Sequence, residues 1–143
     1  MSTSGISLRL ITKNDLEFVR GLRNQNRRSF FYTKSITKSQ QQGWFNALNY
    51  DFYIIWLGDE RIGTISEHAI VNIPLTTKRY CGLFEVGNLM LSKEYQGRGY
   101  MTEAMRHLTK RGGFFVAFVK TSNKASIKVF ERGEFWEVKD GLV

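Results

Sequence analysis

Apolar and polar positions alternate from Ser7 to Thr12, in the order Ser-Leu-Arg-Leu-Ile-Thr, which predicts a strand. Asn14 or Asp15 then stands where a helix cap belongs, and Phe18, Val19 and Leu22 recur at helical spacing behind it. Residues 24–38 mix polar and aromatic side chains without a clean period and read as a loop or a short broken helix. A second helix fits Lys38 to Leu48, with Trp44, Phe45 and Leu48 on one face. The run Asp51 to Leu57 is aromatic and β-branched and predicts a strand. Gly58-Asp59 is a tight turn, and Arg61 to Ile73 pairs back as a hairpin. A loop around Pro74 and a third strong strand, Leu83 to Leu91, follow.

The character then changes. Tyr95-Gln-Gly-Arg-Gly99 is a glycine-rich turn that opens directly into an amphipathic helix, Tyr100 to Lys110, ended by Gly112-Gly113. Phe114 to Lys120 reads as a buried strand and Ser126 to Arg132 as a short helix carrying Ile127 and Phe130. After the N-terminal helices the order is strand, strand, strand, helix, strand, helix, strand. That order predicts an α/β (α+β) domain with a mixed, mostly antiparallel central sheet and helices on its faces.

Composition narrows the function classes. At 143 residues, 42% hydrophobic and 14% aromatic, residues 1–143 make a single domain with a real core rather than a disordered chain. One proline and 13 glycines exclude collagen-like and low-complexity chains. The single cysteine, Cys81, excludes an internal disulfide and a cysteine-based zinc site, so no metal is expected. No apolar run approaches the ~18–20 residues of a membrane helix. The opening Met-Ser-Thr-Ser-Gly-Ile-Ser lacks the pattern of a secretion signal. No membrane partner and a cytoplasmic location are therefore the expectations. Lys and Arg outnumber Asp and Glu by 21 to 13, a formal charge of +8, which favours an anionic partner. The positive residues are spread along the chain and form no nucleic-acid-binding tail.

A glycine turn at a helix N-terminus is an anion site, because the first N–H groups of a helix have no intrahelical partner and the macrodipole is positive there. Arg98 can add a charged contact. The turn is neither a Walker A loop nor a complete dinucleotide fingerprint. An ordinary strand-to-helix turn is the competing reading of these residues alone.

Gln96-Gly-Arg-Gly-Tyr-Met resembles the acyl-CoA pyrophosphate loop of the GNAT N-acetyltransferase superfamily, Gln/Arg-x-x-Gly-x-Gly/Ala. Its flanks, Gly87 to Tyr95 and Thr102-Glu-Ala-Met, resemble it too. Asn123-Lys-Ala-Ser-Ile-Lys-Val-Phe-Glu looks like the family's Asn-x-x-Ser-x-x-x-Tyr-Glu segment, and Leu8 to Leu16 reads like its first strand and helix. The resemblance covers about residues 7 to 139 and points nearest to the branch acetylating protein N-termini and amino-sugar nucleotides. It implies transfer of acetyl from acetyl-CoA, as cosubstrate, to a primary amine by direct attack on the thioester.

The same resemblance implies the site. Met90, Leu91, Gln96, Gly97, Arg98, Gly99, Tyr100, Met101, Asn123, Ser126 and Phe130 would hold the cofactor. A backbone N–H near Asn88 to Met90 would meet the thioester oxygen, and Arg23, Asn24, Phe30 and Tyr32 would wall the acceptor. Glu85, in Phe-Glu-Val-Gly where relatives often read Ala-Glu-Ile-Gly, is the implied base; a solvent-facing strand carboxylate is the alternative. Glu67 and His68 are second choices, and His107 reads as a surface residue. The acceptor would be a small-molecule or peptide amine, or an anionic one linked to a nucleotide or nucleic acid.

Four positions depart from the family pattern. Met101 replaces the last glycine or alanine of the loop, and Phe130 replaces a tyrosine, so it has no proton to give. Only Lys110-Arg-Gly-Gly separates the loop helix from the next strand. Eight residues follow Phe135, room for one of the family's two final strands, so either the last strand is absent or another copy of the chain, in a homodimer, completes that wall. A nucleic-acid-binding or nucleic-acid-modifying module on this fold, and a GNAT-like interaction protein without catalysis, are the alternative functions.

Overall fold

The computed structural model describes residues 5–30, 33–74, 80–110 and 112–135, without the side chains of 71–74, 80 and 81. Four strands form an antiparallel meander in chain order: β1 Ile6–Leu10, β2 Asp51–Leu57, β3 Glu60–Pro74 and β4 Tyr80–Leu91. β5, Phe114–Val116, joins β4 in parallel. Helices α1 Leu16–Gln25 and α2 Lys38–Asn46 lie between β1 and β2; α3 Tyr100–Thr109 connects β4 to β5; α4 Lys124–Arg132 follows. The sheet is thus mostly antiparallel and flanked by helices, as the sequence predicts. The residues beyond Phe135, on which the expected loss of a last strand rests, lie outside the described residues.

The chain folds this way because each element has an apolar face and the sheet has two. On one face α3 lays down Met101, Ala104, Met105 and Leu108, a helical stripe, over Ile6, Ile55, Ile62, Ile65, Val86 and Leu91, with Phe130 of α4 closing the cluster. On the other face Val19 of α1 meets Phe52 and Ile54 of β2, with Trp44 of α2 edge-on to Phe52. α2 begins where the pattern puts it, on a capping box in which Thr37 and Gln40 bond each other's main chain. It stops at Asn46, two residues short of the predicted end.

Two further differences have physical causes. β5 is three residues, not the predicted seven, because Ala117 to Lys120 have no strand partner among the described residues, which an apolar run cannot disclose. The N-cap position of α1 is Asp15, as the sequence predicts, but its side chain does not cap α1. Asp15 turns back as the acid of a capping box, accepting from the Thr12 main-chain N–H at 2.8 Å and the Thr12 hydroxyl at 3.0 Å.

Asp15 is 4% exposed and also accepts from Arg61 Nε of β3 at 2.7 Å, so one carboxylate ties the start of α1 to the sheet. Burial opposes its ionisation, but the Thr12 N–H, the Arg61 guanidinium and the Thr12 hydroxyl outweigh it and hold the carboxyl below its usual 3.8. A depressed native pKa stabilises the fold above the unfolded value and is lost as pH falls through the native one. Asp15→Asn is expected to lower the unfolding free energy by about 1.5–3 kcal/mol near neutral pH. In urea titrations the gap from the parent protein should hold down to about pH 5 and close below about pH 4.

Candidate active site

The site is built on β4. Between the pairs Ser66↔Gly87 and Thr64↔Met90 β3 advances two residues and β4 three, so β4 carries a bulge. Asn88 takes φ +53° there, a left-handed conformation open to asparagine at modest cost. The bulge is pinned from β3: the Thr64 hydroxyl donates to the Asn88 carbonyl at 2.7 Å, and Asn88 Nδ2 donates to Ser66 Oγ at 2.8 Å. Gly63 lets the strands close up, since a Cβ there would stand 2.2 Å from the Met90 carbonyl oxygen.

On its other edge β4 loses its neighbour. β5 pairs with it only at Leu83, Phe84 and Glu85. From Val86 to Leu91 that edge of β4 has no strand partner among the described residues, leaving main-chain donors and acceptors for an extended ligand.

The open edge leads to the glycine turn. Gly97 and Gly99 have φ of +74° and +83°, and Gly99 is the N-cap of α3. A Cβ on either would meet nothing within 4 Å, so the backbone here is bare. The first helical bond runs from Glu103 N to Gly99 O, so the N–H groups of Gly99, Tyr100, Met101 and Thr102 have no intrahelical acceptor. The Thr102 hydroxyl is buried without a hydrogen-bond partner, a group that sequence reasoning missed, though a hydroxyl three places past the cap was the available signal. Arg98 is exposed beside these donors. The Gln96 amide donates to the Leu91 carbonyl at 3.0 Å and so fixes the turn to the end of β4. Tyr95, whose hydroxyl donates to Glu60, anchors the turn to the β2–β3 hairpin. This donor set suits a pyrophosphate and an amide-bearing arm.

On the α1/α2 face a cavity of about 490 Å3 opens at the bulge. Val19, Ile36, Trp44, Phe52 and Met90 give it an apolar wall, and Arg23, Gln40, Gln41 and Asn88 its polar atoms. No carboxylate is among these residues. Trp44, Gln40 and Gln41 of α2 and Phe52 of β2 were not foreseen as site residues; they carry no motif.

The remaining predicted residues fall as follows. Met90 is 2% exposed and belongs to both the bulge and the cavity, while Leu91 and Met101 are buried in the α3-side core. Asn123 caps α4, its Oδ1 accepting from the N–H of the buried Ser126 at 3.2 Å. Phe130 is 7% exposed in the α3-side core, edge-on to Phe135 at 4.9 Å. Arg23 stacks on Phe30 at 4.1 Å. Asn24 holds the cavity-lining Ile36: its Oδ1 accepts from the Ile36 N–H at 2.7 Å and its Nδ2 donates to the Ile36 carbonyl at 3.1 Å. Tyr32 lies outside the described residues. Glu85 is half-buried, opposite His68 in the register. It shares the cavity's face by alternation with Val86, but does not line the cavity, standing roughly 10 Å along the strand from Asn88. Glu67, 3% exposed, alternates to the opposite face from Ser66 and His68. His107 is half-buried rather than on the surface, its Nε2 4.0 Å from Glu103 Oε1. Among the described residues no cluster of histidine, cysteine and carboxylates could hold a metal, and no helix is long and apolar enough to cross a membrane.

An antiparallel meander, a parallel strand that parts from it, and a glycine turn at the gap define an acyl-CoA-dependent N-acyltransferase fold. The chain belongs to the acetyltransferase (GNAT) domain family, whose profile matches residues 6–135. Among solved structures it is similar to AAC(6')-Ib in complex with ribostamycin and coenzyme A, at TM-score 0.73 and 18% identity over 90% of this chain and 81% of that one. An N-acetyltransferase from Staphylococcus aureus Mu50 is similar at 0.70 and 19%, over 92% and 84%. A Salmonella typhimurium structure with its cofactor acetyl-CoA is similar at 0.68 and 17%, over 92% and 80%. At these identities the likeness is one of fold. No curated protein matches the chain.

Gly63→Ala is expected to push β4 away at the bulge and cost about 2 kcal/mol or more in a denaturant titration. Gly97→Ala, which meets no atom, should cost only the backbone strain of about 1 kcal/mol.

Proposed function

We propose that the protein transfers an acetyl group from acetyl-CoA to a primary amine, by direct attack of the amine on the thioester. The observation that carries this reading is that β4 has no strand partner beyond Glu85 on one edge among the described residues, and leads to a glycine turn with four N–H groups that lack an intrahelical acceptor. Acetyl-CoA would supply the activated acetyl group, its pyrophosphate held by the turn from Gln96 to Met101 with Arg98, and its amide arm by the free edge from Val86 to Leu91. Asn123 would reach that arm through Nδ2, since Oδ1 caps α4. Ser126, buried next to that cap, would close the same side.

A main-chain N–H at the bulge, between Asn88 and Met90, would donate to the carbonyl oxygen as charge develops on it. The bulge suits this role because Thr64 and Ser66 hold it rigid before any ligand arrives. The amine would approach through the cavity that ends on Asn88 and Met90, past Arg23 and Phe30. Held there, it gains the roughly 7–11 kcal/mol available from orientation alone. Glu85 would take the proton through water, since it stands outside the cavity lining. Phe130 offers no acid, and a thiolate leaves without one. Protein N-termini and amino-sugar nucleotides, the acceptors of the branch the sequence most resembles, are the first to screen.

Calorimetric titration with acetyl-CoA, and separately with CoA, tests the reading: micromolar binding of both is expected, and no binding at millimolar ligand would overturn it. Gly99→Asp should weaken that binding at least tenfold by setting a carboxylate against the pyrophosphate; unchanged affinity removes the turn from the site. Glu85→Gln should lower kcat by about 10²-fold with acetyl-CoA affinity unchanged; a full rate would return Glu85 to a structural role.

A further inference from the structure

Where β5 parts from β4 the chain runs on through residues 117–123, and this segment touches both halves of the site. Ala117 and Val119 pack against the α3-side core. Lys120, half-buried, reaches the other layer: its Nζ donates to the Arg28 carbonyl at 3.1 Å and to the Phe30 carbonyl at 3.2 Å. These carbonyls lie at the end of the short turn Arg27–Ser29 that follows α1. Carbonyls at the end of a helical turn lack donors within it, and a lysine suits them. The main-chain carbonyl of Lys120 accepts in turn from the Asn123 N–H at 2.9 Å. Asn123 is the N-cap of α4 and, in the reading above, the residue that reaches the cofactor arm. One residue therefore holds the turn toward the cofactor by its main chain and the acceptor wall by its side chain.

That wall leads on to the cavity. The Arg23 guanidinium lies over the Phe30 ring at 4.1 Å, and Arg23 lines the cavity together with Asn88 and Met90. Counted on from the last β4–β5 pair, Glu85↔Val116, Lys120 falls level with Leu89, within the bulged stretch of β4. Residues 117–120 have no strand partner among the described residues, so packing on one side and this tie on the other steady them. Charge makes each of the two bonds stronger than a neutral one, while the turn from Lys120 to Asn123 sets their direction.

From this arrangement we infer that Lys120 is a positioning residue that couples cofactor binding to the acceptor wall. A cofactor arm bound along β4 and Asn123 steadies residues 117–123, and Lys120 passes that order to Phe30, to Arg23 and so to the cavity. The inference rests on the acetyl-transfer reading above and adds to it how an occupied cofactor site shapes the acceptor site. Coupling of this kind is reciprocal, so an acceptor that fixes the wall also tightens the cofactor.

Hydrogen exchange at the amides of residues 27–30, followed with and without CoA, tests the coupling before any acceptor is known. CoA is added until calorimetry shows each protein saturated. In the parent protein CoA is expected to slow these amides by about threefold or more beyond any slowing in β2, which reports the stability of the whole fold. In Lys120→Met that extra slowing should be gone. A tie that is only structural would speed exchange in the variant with and without CoA alike, and leave the ratio between the two as in the parent. Lys120→Gln, which also removes the charge, takes its place if Lys120→Met folds poorly, and the parent protein's ratio needs no variant. CoA bound without extra slowing in the parent, or with the slowing kept in the variant, overturns the inference and leaves acetyl transfer standing. Absence of CoA binding overturns the acetyl-transfer reading and this inference with it.

Discussion

A strand that keeps one neighbour and loses the other partway along must leave a row of peptide groups for something else to pair. In β4 this begins after Glu85, where the ladder to β5 ends. Much of the functional end of the molecule follows from that parting. The bulge at Asn88 sits on the paired edge, where β3 can hold it by Thr64 and Ser66, so the strand is kinked but rigid. The glycine turn comes where the strand ends, and the Gln96 amide on the Leu91 carbonyl keeps the two in register. Gap, bulge and helix N-terminus are thus one continuous feature, and a ligand both extended and anionic fits all of it.

The α1/α2 face is organised differently from the α3 side. α3 packs by an apolar stripe and needs no specific bond to the sheet. The α1/α2 layer has a smaller buried cluster, and polar bonds hold it in place: Asp15 on Arg61, Gln41 on the Leu16 carbonyl, Asn24 on Ile36, Lys120 on Arg28 and Phe30. Each contributes on the order of 1 kcal/mol, but each fixes a direction, which apolar contact does not. A layer fixed by directed bonds can enclose a cavity without collapsing into it.

This division explains what the sequence discloses. Strands and helices with one apolar face announce themselves by period, and β1 to β4, α1 and α3 were legible to within a few residues. The glycine turn was legible because left-handed φ and bare backbone leave few residue choices. The bulge was not: Gly-Asn-Leu-Met reads as continuous strand, and only the three-for-two register against Thr64 and Ser66 reveals the kink. The cavity was not legible either, since Val19, Trp44, Phe52 and Met90 each look like core and become a wall only when four elements meet. Phe130 shows the opposite limit. Motif position assigns it to the cofactor, while packing sets it against Phe135 in the core, and a motif cannot weigh the two.

The cavity's charge also bears on how an amine loses its proton. In the proposed reaction an ammonium entering it would leave water for walls of Trp44, Phe52 and Met90 and approach the Arg23 guanidinium. Desolvation and a like charge both lower the pKa of an amine, so the neutral form is favoured on entry. A base is still needed as the amine attacks, and in the proposed reaction Glu85 would serve through water, since it stands on the cavity's face yet outside its lining.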